Sequence, residues 1–488
     1  MKKTIFEAVK SMKNGSLTST QLLNTCLERV EKAKDLQAIV TLNDELCKIK
    51  AAALDAKREE LSGDELGPLH GIPVAVKDNF STAGIRTTCA SRILSDYVPN
   101  YTATAVQKLL SAGGLLLAKT NMDEFAMGAG SVESHMGEVR NPWNTDRVAG
   151  GSSGGSIVSV ACGAVFAALG SDTGGSVRNP ACFCGVVGYK PSYGLISRHG
   201  LISLENSMDT VGIAARYVDD VAYILDIIAG WDAKDSTSVK RPVDKVQLDE
   251  EPSVKGLNVG IPYDFHAPGT SREVIDEWSR IADEFERAGA NVVSASLPST
   301  QFGIDAYYVL CKSEVASNMA RYDGIEYGFR SNGESTEQLY ASTRAIGLND
   351  AVRERILAGN YFLLSRNYKK YYEKAQKVRR KIANEFNDTF NSGIDVLLTP
   401  AVLEPAPRFD WFKDSRNRVK SQDHDIYTIT VNLAGLPAVV VPTGLNKENL
   451  PIGLQLITPY LNDVKLLNIA KWLENYCSFK QFVDRQMN

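Results

Sequence analysis

Two clusters of serine and glycine, GGSSGGS at 150–156 and TGGS at 173–176, set Ser152 and Ser176 24 residues apart. A serine-glycine string ordinarily reads as a solvated linker. Here Ser156 runs directly into IVSVACGAVFAALG, an apolar stretch that ends in SDTGGSVRNP. A loop held between core elements is not a tether, and its small residues suit a helix N-terminus, where free N–H groups need partners. A phosphate cradle would require a lysine followed by serine or threonine to close G-x-x-x-x-G-K-[ST], and none follows. Acyl transfer uses what is present: a hydroxyl nucleophile with adjacent backbone donors for an oxyanion.

A serine nucleophile needs a base. The chain has five histidines, His70, His135, His199, His266 and His424, and none forms a signature with an acid. The G-x-S-x-G elbow is absent too, because Val177 and Arg178 follow Ser176. A lysine can replace histidine when burial or neighbours lower its pKa enough to populate the neutral amine. Lys77, which closes the apolar run of IPVAVKDNF, is the leading candidate. The competing reading is a strand-end lysine that snorkels to solvent.

Positioning such groups requires a rigid frame. Helical spacing over about 4–15, 18–33, 44–61 and 102–113 alternates with short apolar runs such as IPVAV (72–76) and GLLLA (114–118). That alternation predicts an α/β fold with helices covering a sheet. LNVGIP (257–262), ANVVSA (290–295), DVLLTP (395–400) and AVVVP (438–442) read as further buried strands. The apolar run from Ile157 to Gly170 is too short to cross a bilayer, which takes about 20 residues, and reads as a buried helix. Charged residues around 240–256 and polar ones near 331–347 read as linkers. The long segment 404–425 reads as a solvated surface loop, with a flap near a site as the alternative.

Composition bounds the rest. The 488 residues are 44% hydrophobic and 23% charged, enough apolar material for a large core. Length alone would suggest about three domains of roughly 150 residues, although large α/β enzymes often build such lengths around one sheet. The net charge of −4 gives no global positive field for nucleic acid or an anionic membrane, so any nucleic-acid role is local or borrowed from a partner. The N-terminal stretch lacks the compact apolar block of a secretory signal. Eight scattered cysteines without paired C-x-x-C units read as reduced, mostly buried thiols, and no metal site is expected.

HGIPVAVKDNF (70–80), GGSSGGS (150–156) and GSDTGGSVRNPACFCGVVGYKPSYG (170–194) together resemble the amidase signature family, in its order and separation. The resemblance implies an amidase-signature fold, a mixed central β-sheet covered by helices on both faces. It implies a single domain over 1–488, with a catalytic core at about 65–210 and a substrate-recognition part at about 300–445. By position, the family's Ser–Ser–Lys triad falls on Lys77 as neutral base, Ser152 as bridging serine and Ser176 as nucleophile. It also implies a cis peptide bond entering Ser152, and an oxyanion hole from the N–H groups of Thr173, Gly174, Gly175 and Ser176.

Within that family, NMDEFAMG (121–128), RNPWN (140–144), SEVASNMARYDGIEYGFR (313–330) and DIYTITVNLAGLPAVVVPTG (425–444) resemble the A subunits of glutamyl-tRNA(Gln) amidotransferases. The resemblance implies a glutaminase that supplies ammonia for converting Glu-tRNA(Gln) to Gln-tRNA(Gln). The same resemblance implies no cofactor of this chain's own, ATP and Mg2+ used by the complex through a tRNA-binding B subunit, and a heterotrimer completed by a C subunit. Free glutamine is a zwitterion, so its pocket needs a cation for the carboxylate and an anion for the ammonium. The family pattern puts these on Arg355 and Asp425, with a tyrosine that is Tyr307 or, one place on, Tyr308. Val132-Glu133-Ser134-His135 departs from the bacterial pattern, and 80–91 and 188–202 look nearer to animal mitochondrial versions. That favours the mitochondrial matrix over a bacterial cytoplasm. The rival readings are a stand-alone amidase acting on neutral amides and a non-catalytic scaffold.

Overall fold

A computed structural model describes residues 4–60, 66–241, 245–417 and 422–486. Its strands are β1 (Ile39–Leu42), β2 (Pro73–Lys77), β3 (Leu115–Thr120), β4 (Ala167–Asp172), β5 (Val187–Lys190) and β6 (Thr210–Ala215), followed by β7 (Asn258–Pro262), β8 (Asn291–Ala295), β9 (Val396–Pro400), β10 (Ala438–Leu445) and β11 (Pro451–Ile457). Among the described residues these form one eleven-stranded sheet in the order β1-β3-β2-β4-β6-β5-β10-β11-β9-β7-β8. The sheet is mixed: β2 runs parallel to β3 and β4, and β7 parallel to β8 and β9, while the remaining pairs are antiparallel. Every residue of β2, β3, β4, β5, β6, β9 and β11 is buried, so both faces are covered along these strands, as continuous apolar runs require.

The α/β expectation is met, with three local corrections. The run from Ile157 to Gly170 is not one helix: α1 (Gly154–Ala161) ends at a turn through Gly163, and the chain continues as β4. An unbroken apolar run fits a buried helix and a buried strand equally well, and only the sheet chooses between them. ANVVSA is a strand but not a buried one, because β8 lies at the sheet edge with Val293 38% exposed. The polar stretch near 331–347 is mostly a helix, Thr336–Gly347, whose N-terminus is capped by the Ser335 side chain.

The segment 404–425 is described except for 418–421, and it is more than a surface loop. Phe409 and Phe412 are buried in a small cluster with Phe183 and Val440. The His424 ring sits among Phe183, Trp411 and Phe412, and burial pushes its pKa down to about 4. All eight cysteines are free thiols, and all but the half-buried Cys477 are buried.

Four more helices position the groups discussed below: α2 (Arg178–Cys184), α3 (Gly303–Asn318), α4 (Asp350–Leu363) and α5 (Ile426–Ala434).

Candidate active site

Lys77 ends β2 and Asp172 ends the parallel neighbour β4, so both lie at the carboxyl edge of adjacent strands. That edge is where open α/β sheets place their ligands. Lys77 is fully buried. Its Nζ lies 2.7 Å from Ser152 Oγ, 2.9 Å from Ser171 Oγ and 3.4 Å from the Ser171 carbonyl oxygen. Burial pushes the amine down to about 7, against the opposing pull of Asp123, Asp172 and Asp209. Desolvation costs the ammonium form more than these carboxylates return, which leaves a neutral amine accessible at physiological pH.

The loop that carries Ser152 packs on Asp123, whose backbone N–H donates to the Ser152 carbonyl at 3.4 Å and whose side-chain carboxylate organises the neighbouring 131–133 segment. The Asp123 carboxylate accepts the N–H groups of Ser131 (2.9 Å), Val132 (2.9 Å) and Glu133 (3.0 Å). A Cβ on Gly151 would stand 2.2 Å from Asp123 Oδ2, so only glycine allows the approach. The Gly151–Ser152 peptide is cis.

Ser176 is brought to the same place by backbone. The Ser153 N–H donates to the Ser176 carbonyl at 3.0 Å. Among the described residues no hydrogen bond joins the Ser152 and Ser176 hydroxyls, and Ser176 stays 9% exposed while Ser152 is fully buried. The turn before Ser176 is wrapped on Asp172, whose carboxylate accepts from the Gly175 N–H (3.0 Å), the Val177 N–H (3.2 Å) and Arg178 Nε (3.0 Å) and Nη2 (2.8 Å). Of the four N–H groups expected in the oxyanion hole, that of Gly175 is therefore already donated to Asp172. Those of Gly174 and Ser176 donate to no backbone acceptor among the described residues. The reason is local: Asp172 lies three residues before Gly175 and takes the inward-facing donor of the turn.

Asp172 and Arg178 are both fully buried. The guanidinium holds the Asp172 carboxyl well below the usual carboxylate range and reaches on to Gln455 Oε1 (2.7 Å) and Asn432 Oδ1 (2.5 Å). Truncating one partner strands the other charge away from water. Arg178→Ala is expected to lower stability by about 3–5 kcal/mol, read as a fall in the urea midpoint at unchanged slope.

The candidate substrate residues come from three helices. Arg355 is partly buried on α4, with Nη1 donating to the Ala351 carbonyl of its own helix at 2.9 Å. α4 packs tightly on α3, where a Cβ on Gly359 would fall 1.8 Å from the Lys312 carbonyl oxygen. Asp425, which directly precedes α5, accepts from Asn179 Nδ2 at 3.1 Å. Burial and the Asp172 carboxylate push Asp425 up to about 8. The two tyrosines part company. Tyr307 lies under the nucleophile turn, where a Cβ on Gly174 would stand 2.8 Å from its hydroxyl oxygen. Tyr308 feels the opposing charges of Asp425 and Arg355 together.

Sequence reasoning missed Ser171, Asn79, Asp172 and Arg178. Asn79 Nδ2 donates to Ser171 Oγ at 3.0 Å, fixing the hydroxyl that Lys77 contacts. Asp172 and Arg178 fall inside the SDTGGSVRNP block, and their opposite charges on either side of the turn were the available signal. The Asn79–Ser171 contact spans 92 residues and leaves no local trace.

A buried lysine on a serine, set against a glycine-rich turn that carries a second serine, defines a Ser–Ser–Lys arrangement suited to amide cleavage. The chain belongs to the amidase family, whose profile matches residues 21–467. It is 50% identical over 500 residues to the mitochondrial glutamyl-tRNA(Gln) amidotransferase A subunit of Homo sapiens, covering 98% of this chain and 94% of that protein. The Rattus norvegicus protein of the same name is 51% identical over 496 residues, with the same shares covered. The crystal structure of the glutamyl-tRNA(Gln) amidotransferase A subunit from Thermotoga maritima superposes with a TM-score of 0.79 at 38% identity, covering 97% of this chain and 94% of that one. A bacterial aryl acylamidase of the amidase signature enzymes, 24% identical with a TM-score of 0.85 over 99% of this chain and 98% of that one, shares the fold.

Proposed function

We propose that this chain is the glutaminase subunit of a glutamyl-tRNA(Gln) amidotransferase. The observation that carries the reading is the buried Lys77 Nζ 2.7 Å from Ser152 Oγ beside the Ser176 turn. A zwitterionic substrate would use Arg355 and Asp425, which both act electrostatically on Tyr308, and the named relatives support the reading.

In this mechanism Ser176 Oγ attacks the side-chain amide carbon of glutamine. Its proton passes to Ser152 Oγ as the Ser152 proton passes to neutral Lys77. The two Ser171 oxygens accept from Lys77 N–H groups, which leaves the amine lone pair for Ser152. The Gly174 and Ser176 N–H groups, with that of Thr173, stabilise the oxyanion. The relay then runs in reverse: the C–N bond breaks, the leaving nitrogen takes the proton and departs as ammonia. A γ-glutamyl ester remains on Ser176, and water, deprotonated by the same relay, releases glutamate. Arg355 takes the α-carboxylate and Asp425 the α-ammonium, with Tyr307 or its neighbour Tyr308 completing the pocket.

The ammonia is consumed by a partner, the B subunit, which binds Glu-tRNA(Gln) and uses ATP and Mg2+, with the C subunit in the same assembly. This chain needs no cofactor of its own. The single catalytic domain spans 1–488, and the mitochondrial matrix is its compartment, in line with the mitochondrial relatives.

The test is ammonia release from glutamine by the purified chain, alone and with its candidate B subunit plus ATP and Glu-tRNA(Gln). Arg355→Ala is expected to raise KM for glutamine about 10- to 100-fold, the loss of a charge-assisted contact worth roughly 1.5–3 kcal/mol. Cleavage of a neutral amide should be spared. Glutamine left untouched while a neutral amide is cleaved would instead make this a stand-alone amidase.

A further inference from the structure

We infer that Asn179 is the positioning residue that aims Asp425 at the substrate's ammonium group and ties it to the turn carrying Ser176. The inference rests on the proposed role of Asp425 in binding glutamine.

Asn179 is fully buried on α2, three residues after Ser176. Its backbone N–H donates to the Gly175 carbonyl at 2.7 Å, which fixes it to the residue before the nucleophile. Its side-chain Nδ2 donates to Asp425 Oδ1 at 3.1 Å. One residue thus touches the nucleophile turn with its backbone and the ammonium-binding carboxylate with its side chain. The other end of the amide is free: Asn179 Oδ1 is buried without a partner among the described residues. It lies beside Gly150, where a Cβ would stand 2.7 Å from it. No hydrogen bond competes for the orientation of this amide, so Asp425 sets it. Once ionised, the Asp425 carboxylate only accepts, which turns Nδ2 toward it.

A donated hydrogen bond favours the ionised carboxyl, the form that binds an ammonium group. The other groups acting on Asp425 divide in sign. From the nucleophile side Asp172 and, more weakly, Asp123 oppose its ionisation, while Arg178 favours it. From α3 it is faced by Tyr307 and Tyr308, and Tyr308 in turn feels Arg355 and Asp423. Asn179 supplies the one direct side-chain hydrogen bond to the carboxylate among the described residues.

The backbone at Asp425 does not depend on this amide. Thr428 Oγ1 lies within hydrogen-bond distance of both the Gly174 carbonyl (2.6 Å) and the Asp425 carbonyl (3.0 Å), and its single proton is shared between them, the shorter contact to Gly174 leading. Removing the Asn179 side chain therefore leaves α5 tied to the nucleophile turn.

The experiment is steady-state hydrolysis of glutamine and of a neutral primary amide by the full-length chain, as a function of pH. Asn179→Ala is expected to lower the ratio of kcat/KM for glutamine to that for the neutral amide about tenfold. The pH below which KM for glutamine rises should move up by about one unit. Asn179→Asp, which keeps the volume but opposes two carboxyls, should show a larger KM rise at high pH than at low pH. An equal loss on both substrates, or an unmoved pH limb, would leave Asn179 with a packing role only and overturn the inference. If Asn179→Ala fails to fold, the pH dependence of Asn179→Asp decides the question by the same criterion. Asp425→Asn separates the two levels. A raised glutamine KM there with normal Asn179 variants sinks this inference alone, whereas an unchanged KM sinks the role of Asp425 and the inference with it.

Discussion

Ser176→Ala is expected to stop glutamine hydrolysis, lowering kcat by about 10^4- to 10^6-fold, the scale seen when the nucleophile of a concerted serine relay is removed. The size of the effect follows from chemistry: the variant has no atom to form the γ-glutamyl ester, and the surviving oxyanion donors and substrate contacts give only residual catalysis. Folding should be untouched. The Ser176 hydroxyl makes no hydrogen bond with Ser152 among the described residues, and the turn is held by Asp172 and by the Ser153 N–H instead. Stability should stay within about 0.5 kcal/mol of the parent. The measurement is ammonia release together with denaturant unfolding, and mass spectrometry of the quenched parent should place a glutamyl adduct on the peptide containing Ser176. Activity that survives in the alanine variant would remove Ser176 from the mechanism.

Lys77→Met is the second large effect, a fall of about 10^3- to 10^4-fold, because methionine fills the space and cannot take a proton. The parent enzyme carries the diagnostic pH dependence. With Lys77 titrating at about 7, kcat/KM should rise about tenfold per pH unit below that value and level off above it, since the neutral amine is the base. Lys77→Met should flatten this limb. The stability linkage has a definite sign. The folded pKa lies below the ordinary lysine value, so between pH 7 and about 10.4 the unfolded chain binds more protons than the folded one. The Lys77 contribution therefore favours folding increasingly as pH rises through that window, and it is absent in the methionine variant. Thermal unfolding of the two proteins across the window measures it.

Much of this site is legible in the sequence, and the illegible part has a common cause. Lys77 can be read because it closes an apolar strand, and Ser152 and Ser176 because glycine-rich turns flank each of them. Arg355 and Asp425 carry no such local mark: one is an arginine on a helix, the other an acid before a helix, and the family resemblance singled them out. Ser171, Asn79 and Asn179 fall inside the family's motifs but look ordinary, because their work is done with partners from other strands and helices. The same limit misread the Ile157–Gly170 run. Its apolar pattern is satisfied by any buried element, and the turn at Gly163 becomes decisive only when β4 has β2 and β6 to pair with.

Residue types and their order set the chemistry on offer: two serines in turns that expose N–H groups, a lysine at a strand end, and too few suitably placed histidines for a conventional base. Whether that lysine is a base at all is a matter of packing. Cover on both faces of β2 excludes water from Lys77 and brings Ser152, 75 residues away, to 2.7 Å from its Nζ. The cost of desolvating an ammonium ion, which depends on neighbours from the whole chain, brings the lysine down to about 7, where its neutral amine is populated at physiological pH.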